Sequence, residues 1–257
     1  MNRSHSTEAI VLRTSRIGEI HRGVVMLTPD EGLVRAIAHG ANTAKGKLRG
    51  STVPFCSGRA YLYINPATQS TKITDMDADE FFSGIRGDLK KFYTACLWAE
   101  LILKTFASGG AAAGLFMLFR SALGELDQRA VSVADLVSVQ FIWRFLALSG
   151  FQPDLDICAC SGEHLAPEES AYYSRSEDGF CAESHASAEP DTDEQLIRWS
   201  PGALGYLRHT ADLSLSEALR VAPPVAAVPA FKRVLYTIIQ DLVEAPLNTI
   251  RTGSGII

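Results

Sequence analysis

Three cations alternate along one glycine-bounded segment, residues 40–50 (GANTAKGKLRG): Lys45, Lys47 and Arg49. Glycine lets a backbone approach a ligand closely. In an extended loop the three side chains can all point one way. The chemistry this suits is phosphate neutralisation, in which each single-strand phosphate contributes about −0.7 to the slope of log K against log salt. The segment is not the phosphate-cradling G-x-x-x-x-G-K-[ST] loop, because no Ser or Thr follows a Gly-Lys at that spacing. A solvated loop with no ligand is the competing reading. Phe55, Tyr61 and Tyr63 lie nearby and could stack on bases, although a β-core is expected to claim at least two of the three.

A second cluster offers metal chemistry. Cys158-Ala-Cys160-Ser161 is followed by Cys181-Ala-Glu-Ser184-His185. Structural zinc sites show C-x2-C twice, whereas the first pair here is C-x-C. Cys158, Cys160, Cys181 and His185 would supply four ligands, with His164 as a spare. A knuckle held by packing alone is the alternative, and both stay open. Asp75, Asp77, Asp79 and Glu80 form an acidic run that could hold a metal ion, but an acidic helix N-terminus is the expected reading. No G-x-S-x-G or H-E-x-x-H occurs, and the six histidines fall into no recognisable pairing. No enzyme is expected. Cys56 and Cys96 read as small core residues.

The elements that must position these groups change character along the chain. Up to about residue 78 the pattern is that of strands: 9–12, 23–28, 33–39, 61–64 and 71–74. Pro29-Asp30-Glu31-Gly32 turns the second into the third as a hairpin. Five short strands in some 75 residues with an open basic loop suggest an OB-type barrel. Helical periodicity then takes over at 89–106, 115–128, 133–148 and 231–244. The spacing places a break at Gly109-Gly110, an N-cap at Ser132, a stop at Gly150 and a helix start at Pro201. Residues 151–199 are low in helical pattern and hold three of the five cysteines. The tail, 251–257, reads as frayed. The expected fold class is α+β: a five-stranded OB-type β-barrel at 1–78, then an all-α domain at 79–257 with a zinc-knuckle-like insertion at about 153–199.

Charge divides the same way. Residues 1–74 carry ten Lys/Arg against four acids, a net of +6, and the remaining 183 residues carry 14 against 25, a net of −11. A basic half beside an acidic one points to a polyanion partner for the first. The apolar share of 47% and charged share of 21% are those of a globular chain. No stretch reads as the roughly 18 apolar residues of a membrane span, and the start shows no secretion signal. Five cysteines without a dense framework suit a reducing cytoplasm. A cytoplasmic protein is expected.

The order of features resembles the RecO family of bacterial recombination mediators. The likeness rests on Glu8-Ala9-Ile10-Val11-Leu12-Arg13, on Ile17-Gly18-Glu19, and on Val24-Val25-Met26-Leu27-Thr28 leading to Gly32. It continues through His39-Gly40-Ala41 and Val53-Pro54-Phe55, then 92–101, Gly150-Phe151-Gln152-Pro153 and Leu155-Asp156 before Cys158. The resemblance implies an OB-fold that binds single- and double-stranded DNA, with a helical C-terminal domain. It implies strand annealing, binding to the single-stranded DNA-binding protein and, with RecR, loading of RecA, in a nucleoid-associated setting. The family's knuckle is C-x2-C twice. On that pattern Cys158 and Cys181 are retained while Ser161 and Ser184 take the other two positions, so zinc is in doubt. The expected DNA-binding residues are Arg13, Arg16, Arg35, Lys45, Lys47, Arg49 and Arg59. Arg120, Arg129 and Arg144, beside Leu115, Phe116, Phe119 and Phe141, are the expected protein-binding groove. A metal-dependent nucleic-acid enzyme using residues 75–80, and an interaction scaffold without DNA binding, are the alternatives.

Overall fold

The computed structural model describes residues 3–105, 112–185 and 197–257. The Gly109-Gly110 break and the side chain of His185 lie outside the described residues. Five strands, β1 (Ser4–Ile17), β2 (His21–Thr28), β3 (Gly32–Ala38), β4 (Ser57–Ile64) and β5 (Thr71–Glu80), close into a barrel in the order β1-β2-β3-β5-β4. β3 and β5 run parallel and the other pairs antiparallel. This is the OB-type barrel. Closure depends on β1, whose 14 residues pair first with β4 and then with β2. A bulge between Val11 and Arg13 provides the bend between the two partners. Strand alternation sends Val11, Met26, Val34, Ala36, Leu62 and Ile73 into the barrel. The hairpin forms as expected: Gly32 has φ 71°, and the Thr28 hydroxyl donates to its carbonyl at 3.2 Å.

β5 departs from the sequence reading. It runs through Glu80, so Asp75, Asp77, Asp79 and Glu80 sit on a strand and cap no helix; α1 (Ser83–Arg86) begins only later. Ile73 and Met76 are its inward side chains, and the acids around them mask the apolar signal of a strand.

Cα proximity divides the chain into two compact units, residues 1–134 with 246–257, and residues 135–245. In the first, α2 (Leu89–Thr105) and α3 (Ala112–Gln128) pack against the barrel. Phe55 meets Phe92 edge-on at 5.7 Å between ring centres. The tail is not frayed: α8 (Asn248–Thr252) docks on α2, where the Glu100 carboxylate accepts from the N–H groups of Asn248 and Thr249 at 2.9 and 2.8 Å.

The second unit holds α4 (Ala134–Ser149), α5 (Pro201–Thr210), α6 (Leu215–Ala218) and α7 (Ala227–Val243). It also carries a three-stranded sheet, so the C-terminal body is not purely helical. The strands are β6 (Ala171–Ser174), β7 (Gly179–Ala182) and β8 (Ile197–Trp199), in the order β7-β6-β8. Strands of three and four residues are too short to display a period. Trp199 ties β8 to α7 and, across β6, to β7, lying 4.9 Å from Phe231 and 4.5 Å from Phe180 between ring centres. Ser200 caps α5 with Pro201 in its first turn, and Gly150 ends α4 at φ 77°. Ser132 lies inside a single 3-10 turn, Val131–Val133, immediately before α4.

The run Val131–Ser149 is long and apolar enough to cross a membrane, contrary to the sequence reading. Its Phe141, Ile142, Phe145 and Leu146 are buried in the fold, and Gln140 donates to the hydroxyls of Tyr206 and Thr210 at 3.1 Å each. These are the contacts of an interior helix.

Candidate nucleic-acid interface

Strand register brings two of the expected cations into one row. Arg13 is the partner of Val25, and Val25 is the partner of Arg35. Register partners share a face of a sheet, so Arg13, Val25 and Arg35 cross the outside of β1, β2 and β3 together. The next row is Ser15, Gly23, Ile37, Lys72 and Tyr63. In it the Lys72 ammonium sits 4.6 Å from the centre of the Tyr63 ring. Arg13, Arg35 and Ile37 line a concavity together with Gln69 and Ser70 of the β4–β5 connection and Thr71 at the start of β5. OB barrels bind oligonucleotides on the strand 2–3 face and the loops beside it. Sequence reading did not place Lys72 in this site, since its neighbours come from register and not from spacing.

The basic loop is not extended. The N–H groups of Thr43, Gly46 and Arg49 donate to the carbonyls of Gly40, Thr43 and Gly46 at 3.0, 3.2 and 3.0 Å, three turns in succession. Position 46 must be glycine, because a Cβ there would lie 2.2 Å from the Gly40 carbonyl oxygen. Ala41 and Leu48 are buried in the barrel core. The loop therefore closes the barrel end while Lys45, Lys47 and Arg49 stay exposed.

Arg22, absent from the expected site, holds this loop. Its Nε donates to Asn42 Oδ1 at 3.1 Å, and its Nη1 donates to the carbonyls of Arg49 and Thr52 at 3.1 Å each. Burial, and then the charge of Arg49, push its pKa below the usual arginine value. Arg16 folds onto the β1–β2 turn, its Nε donating to Gly18 at 3.1 Å, and lines a second concavity with Arg22 and Asn42.

Two expected cations are already paired. Lys47 Nζ lies 2.6 Å from Asp75 Oδ2; this hydrogen bond raises the Lys47 pKa and lowers that of Asp75. Arg59 meets its register partner Glu8 at 2.9 Å. Arg120 of α3 joins that network at Glu80, 2.9 Å, and at Asp79, 3.5 Å. Burial opposes its charge, yet the carboxylates of Glu80, Asp79 and Glu8 outweigh that and raise its pKa. Asp77 accepts from the Tyr61 hydroxyl at 3.1 Å. Each acid of the run is thus engaged with a partner. Among the described residues, the group of three or more potential metal ligands is Cys158, Cys160 and Cys181.

Of the three aromatics, one and not two joins the core. Phe55 is buried, whereas Tyr61 is exposed and Tyr63 half-buried. Arg129 pairs with Glu125 at 2.6 Å. Arg144 caps the C-terminal end of α5, donating to the carbonyls of Thr210 and Leu213 at 3.0 and 2.9 Å. Leu115, Phe116, Phe119 and Phe141 are at most 2% exposed, so they form core and line no groove.

A family model described as "Recombination protein O N terminal" matches residues 1–82, and one described as "Recombination protein O C terminal" matches residues 86–250. The chain belongs to the recombination protein O family. The protein named DNA repair protein RecO of Heliobacterium modesticaldum is 30% identical over 230 residues, 86% of this chain and 79% of that one. Its namesake in Rubrobacter xylanophilus is 31% identical over 216 residues, 83% of each. That of Desulforudis audaxviator is 34% identical over 166 residues, 64% of this chain and 65% of the other, just under two thirds of its length. In this member of the family the two matched segments meet at α1, directly after the last barrel strand.

The knuckle of this family member departs from four ligands around one ion. The sulfurs of Cys158, Cys160 and Cys181 lie within 4.8 Å of one another, and Cys160 and Cys181 are joined as a disulfide. Two sulfurs bonded to each other do not also serve as two thiolate ligands of zinc, each about 2.3 Å from the metal. Ser161 Oγ accepts from the Glu163 N–H at 3.3 Å, and Ser184 Oγ donates to Glu169 at 2.7 Å. Both serines are therefore used in local hydrogen bonds. The residues present do not fit zinc.

Proposed function

We propose that this chain is a DNA repair and homologous recombination mediator. It binds single- and double-stranded DNA, anneals complementary strands and, with RecR, assists RecA loading onto DNA coated by the single-stranded DNA-binding protein. The observation that carries this reading is the row Arg13, Val25 and Arg35 on the outer face of the barrel. Residues 1–78 act as the DNA-binding domain and residues 79–257 as the helical domain, in the cytoplasm at the nucleoid. Arg13, Arg16, Arg35, Lys45, Lys47, Arg49 and Arg59 neutralise phosphates on two strands and so reduce their mutual repulsion. Base pairing supplies the sequence specificity, because phosphate contacts carry none. The protein makes and breaks no bond. Acid-paired Lys47 and Arg59 exchange carboxylate for phosphate on binding, whereas Arg13 and Arg35 meet phosphate directly. Arg120 and Arg129, also on acid partners, are the candidates for protein contact.

The test is strand annealing and salt-dependent DNA binding of the Arg13→Ala/Arg35→Ala double variant. A lower annealing rate is expected, together with a salt slope shallower by roughly 1.4 for single strands. An unchanged slope removes this face from the site.

A further inference from the structure

The cysteine cluster carries chemistry that DNA binding does not use. Cys160 is exposed, while Cys158 and Cys181 are buried beside it. The disulfide links a turn at the start of the inserted segment to β7, 21 residues later. Contacts that do not involve the disulfide also tie these two places. The Ala159 N–H donates to the Phe180 carbonyl at 2.8 Å, and the Ala182 N–H donates to Cys158 Sγ at 3.3 Å. Phe180 and Trp199 pack at 4.5 Å between ring centres. The sheet is thus held with or without the disulfide, which leaves the disulfide able to open and close in a folded chain.

We propose that Cys158, Cys160 and Cys181 form a reversible thiol–disulfide centre where the family's pattern places a zinc knuckle, with a low-molecular-weight thiol–disulfide couple as its redox partner. Exposure makes Cys160 the point of entry. In the oxidising direction, the Cys160 thiolate attacks one sulfur of a small disulfide RSSR. A Cys160–SR bond forms, the RS–SR bond breaks, and RS⁻ leaves. The Cys181 thiolate then attacks Cys160 Sγ, which closes the protein disulfide and expels the second RS⁻. Two protein thiols are oxidised, RSSR is reduced to two RSH, and the two protons end on those thiols. Cys158, within 4.8 Å of both other sulfurs, can exchange with the disulfide by attack on Cys181 Sγ, releasing Cys160 with no net redox change. In a reducing cytoplasm such a centre reports the state of the couple.

The experiment uses the full chain, purified without reductant, denatured, and alkylated with iodoacetamide before and after dithiothreitol. Three of the five cysteines are expected to react before reduction and all five after it. A non-reduced digest should contain the linked Cys160 and Cys181 peptides, and elemental analysis should find no stoichiometric zinc. Equilibration with mixtures of oxidised and reduced glutathione should move the linkage through a single two-electron transition. Cys158→Ser should keep the disulfide, Cys160→Ser can keep a linkage only between Cys158 and Cys181, and Cys158→Ser/Cys160→Ser should lose it. Stoichiometric zinc with five reactive cysteines would overturn the proposal, as would a linkage that does not respond to glutathione. The alkylation count is taken on the unaltered chain and decides the matter even if a variant fails to fold.

Discussion

Arg22 on β2 donates to the backbone carbonyl of Arg49, 27 residues along the chain, at 3.1 Å. The contact joins a strand to the middle of the basic loop, and it uses the side chain of one arginine to place another. The same guanidinium reaches Thr52 and Asn42. Its planar fork holds five donors in a fixed arrangement, which the three rotatable donors of a compact ammonium group do not reproduce.

Arg22→Ala is therefore expected to loosen residues 40–52 without removing a phosphate contact of its own. Losing hydrogen bonds from a charged, partly buried donor costs about 1–3 kcal/mol. Trypsin should cut faster at Lys45 and Lys47 in the folded variant, and DNA affinity should fall together with that protection. Arg22→Lys should not restore either. Equal cleavage rates in variant and parent would show that the loop holds its shape without this clamp.

Lys47 is 74% exposed, yet its ammonium rests on Asp75. Any phosphate must displace that carboxylate. Asp75→Asn should therefore raise DNA affinity and leave the salt slope unchanged, because Lys47 meets the same single phosphate with or without the carboxylate to displace. Lys47→Ala should make the slope shallower by roughly 0.7, one single-strand phosphate. Fluorescence anisotropy with a labelled oligonucleotide across a salt series measures both. An Asp75→Asn protein that binds more weakly would mean that the carboxylate positions Lys47 and does not compete for it.

Lys45, Lys47 and Arg49 changed together to Ala should flatten the slope by about 2 for single strands, if each meets one phosphate. Because Leu48 anchors the loop in the barrel core, the triple variant is expected to stay folded. Its melting temperature should remain within a few degrees of the parent. A large drop in melting temperature with an unchanged slope would mark these cations as structural.

How much of this was legible in the sequence depends on where the signal resides. β3 was readable because Val34 and Ala36 alternate with Arg35 along one strand, and the hairpin because Pro29 to Gly32 are turn residues. The helix ends at Gly150 and Pro201 follow from local backbone preferences. β5 was truncated because its outward acids look like a helix cap, and β6 to β8 were missed because they are too short to show a period. The row Arg13, Val25 and Arg35 needs register between three strands, and the Arg22 clamp needs the path of a loop. Neither is a spacing along the chain. Arg144 read as part of a protein-binding groove, and only the position of the α5 C-terminus shows what its guanidinium caps.

The reactivity of the remaining cysteines follows from burial. Cys56 sits in the barrel core and its thiol pKa is pushed up to about 11 by desolvation; Cys96 of α2 is raised to about 11 by burial and then by the charge of Glu100. A thiol so disposed carries little thiolate at neutral pH. Neither should react with iodoacetamide in the native protein at pH 8, and both should react once it is denatured. Rapid native labelling of Cys56 would mean that the barrel opens on the timescale of the reaction.

The hold of Glu100 on the C-terminal segment should respond to pH. Glu100 accepts from the Asn248 and Thr249 N–H groups and from the Thr249 hydroxyl, the last at 2.7 Å, and Lys104 lies 3.4 Å away. Burial alone would raise the carboxyl pKa, but the hydrogen bonds from Thr249 and Asn248, with the charge of Lys104, hold it below the usual value. A depressed folded-state pKa contributes stability that is present above the unfolded value, about 4.3, and is lost as pH falls through the folded one. Docking of α8 should thus be complete at neutral pH and should weaken in acid below about pH 4. Glu100→Gln keeps the shape but removes the charged acceptor, at a cost of about 1–3 kcal/mol at pH 7. Hydrogen exchange of the Gly253 amide, which donates to the Thr249 carbonyl at 2.8 Å, reports the docking directly. In the parent its protection should drop between pH 5 and 3, and in Glu100→Gln it should be low throughout and nearly independent of pH. Parallel pH profiles in the two proteins would assign the acid response to some other carboxylate.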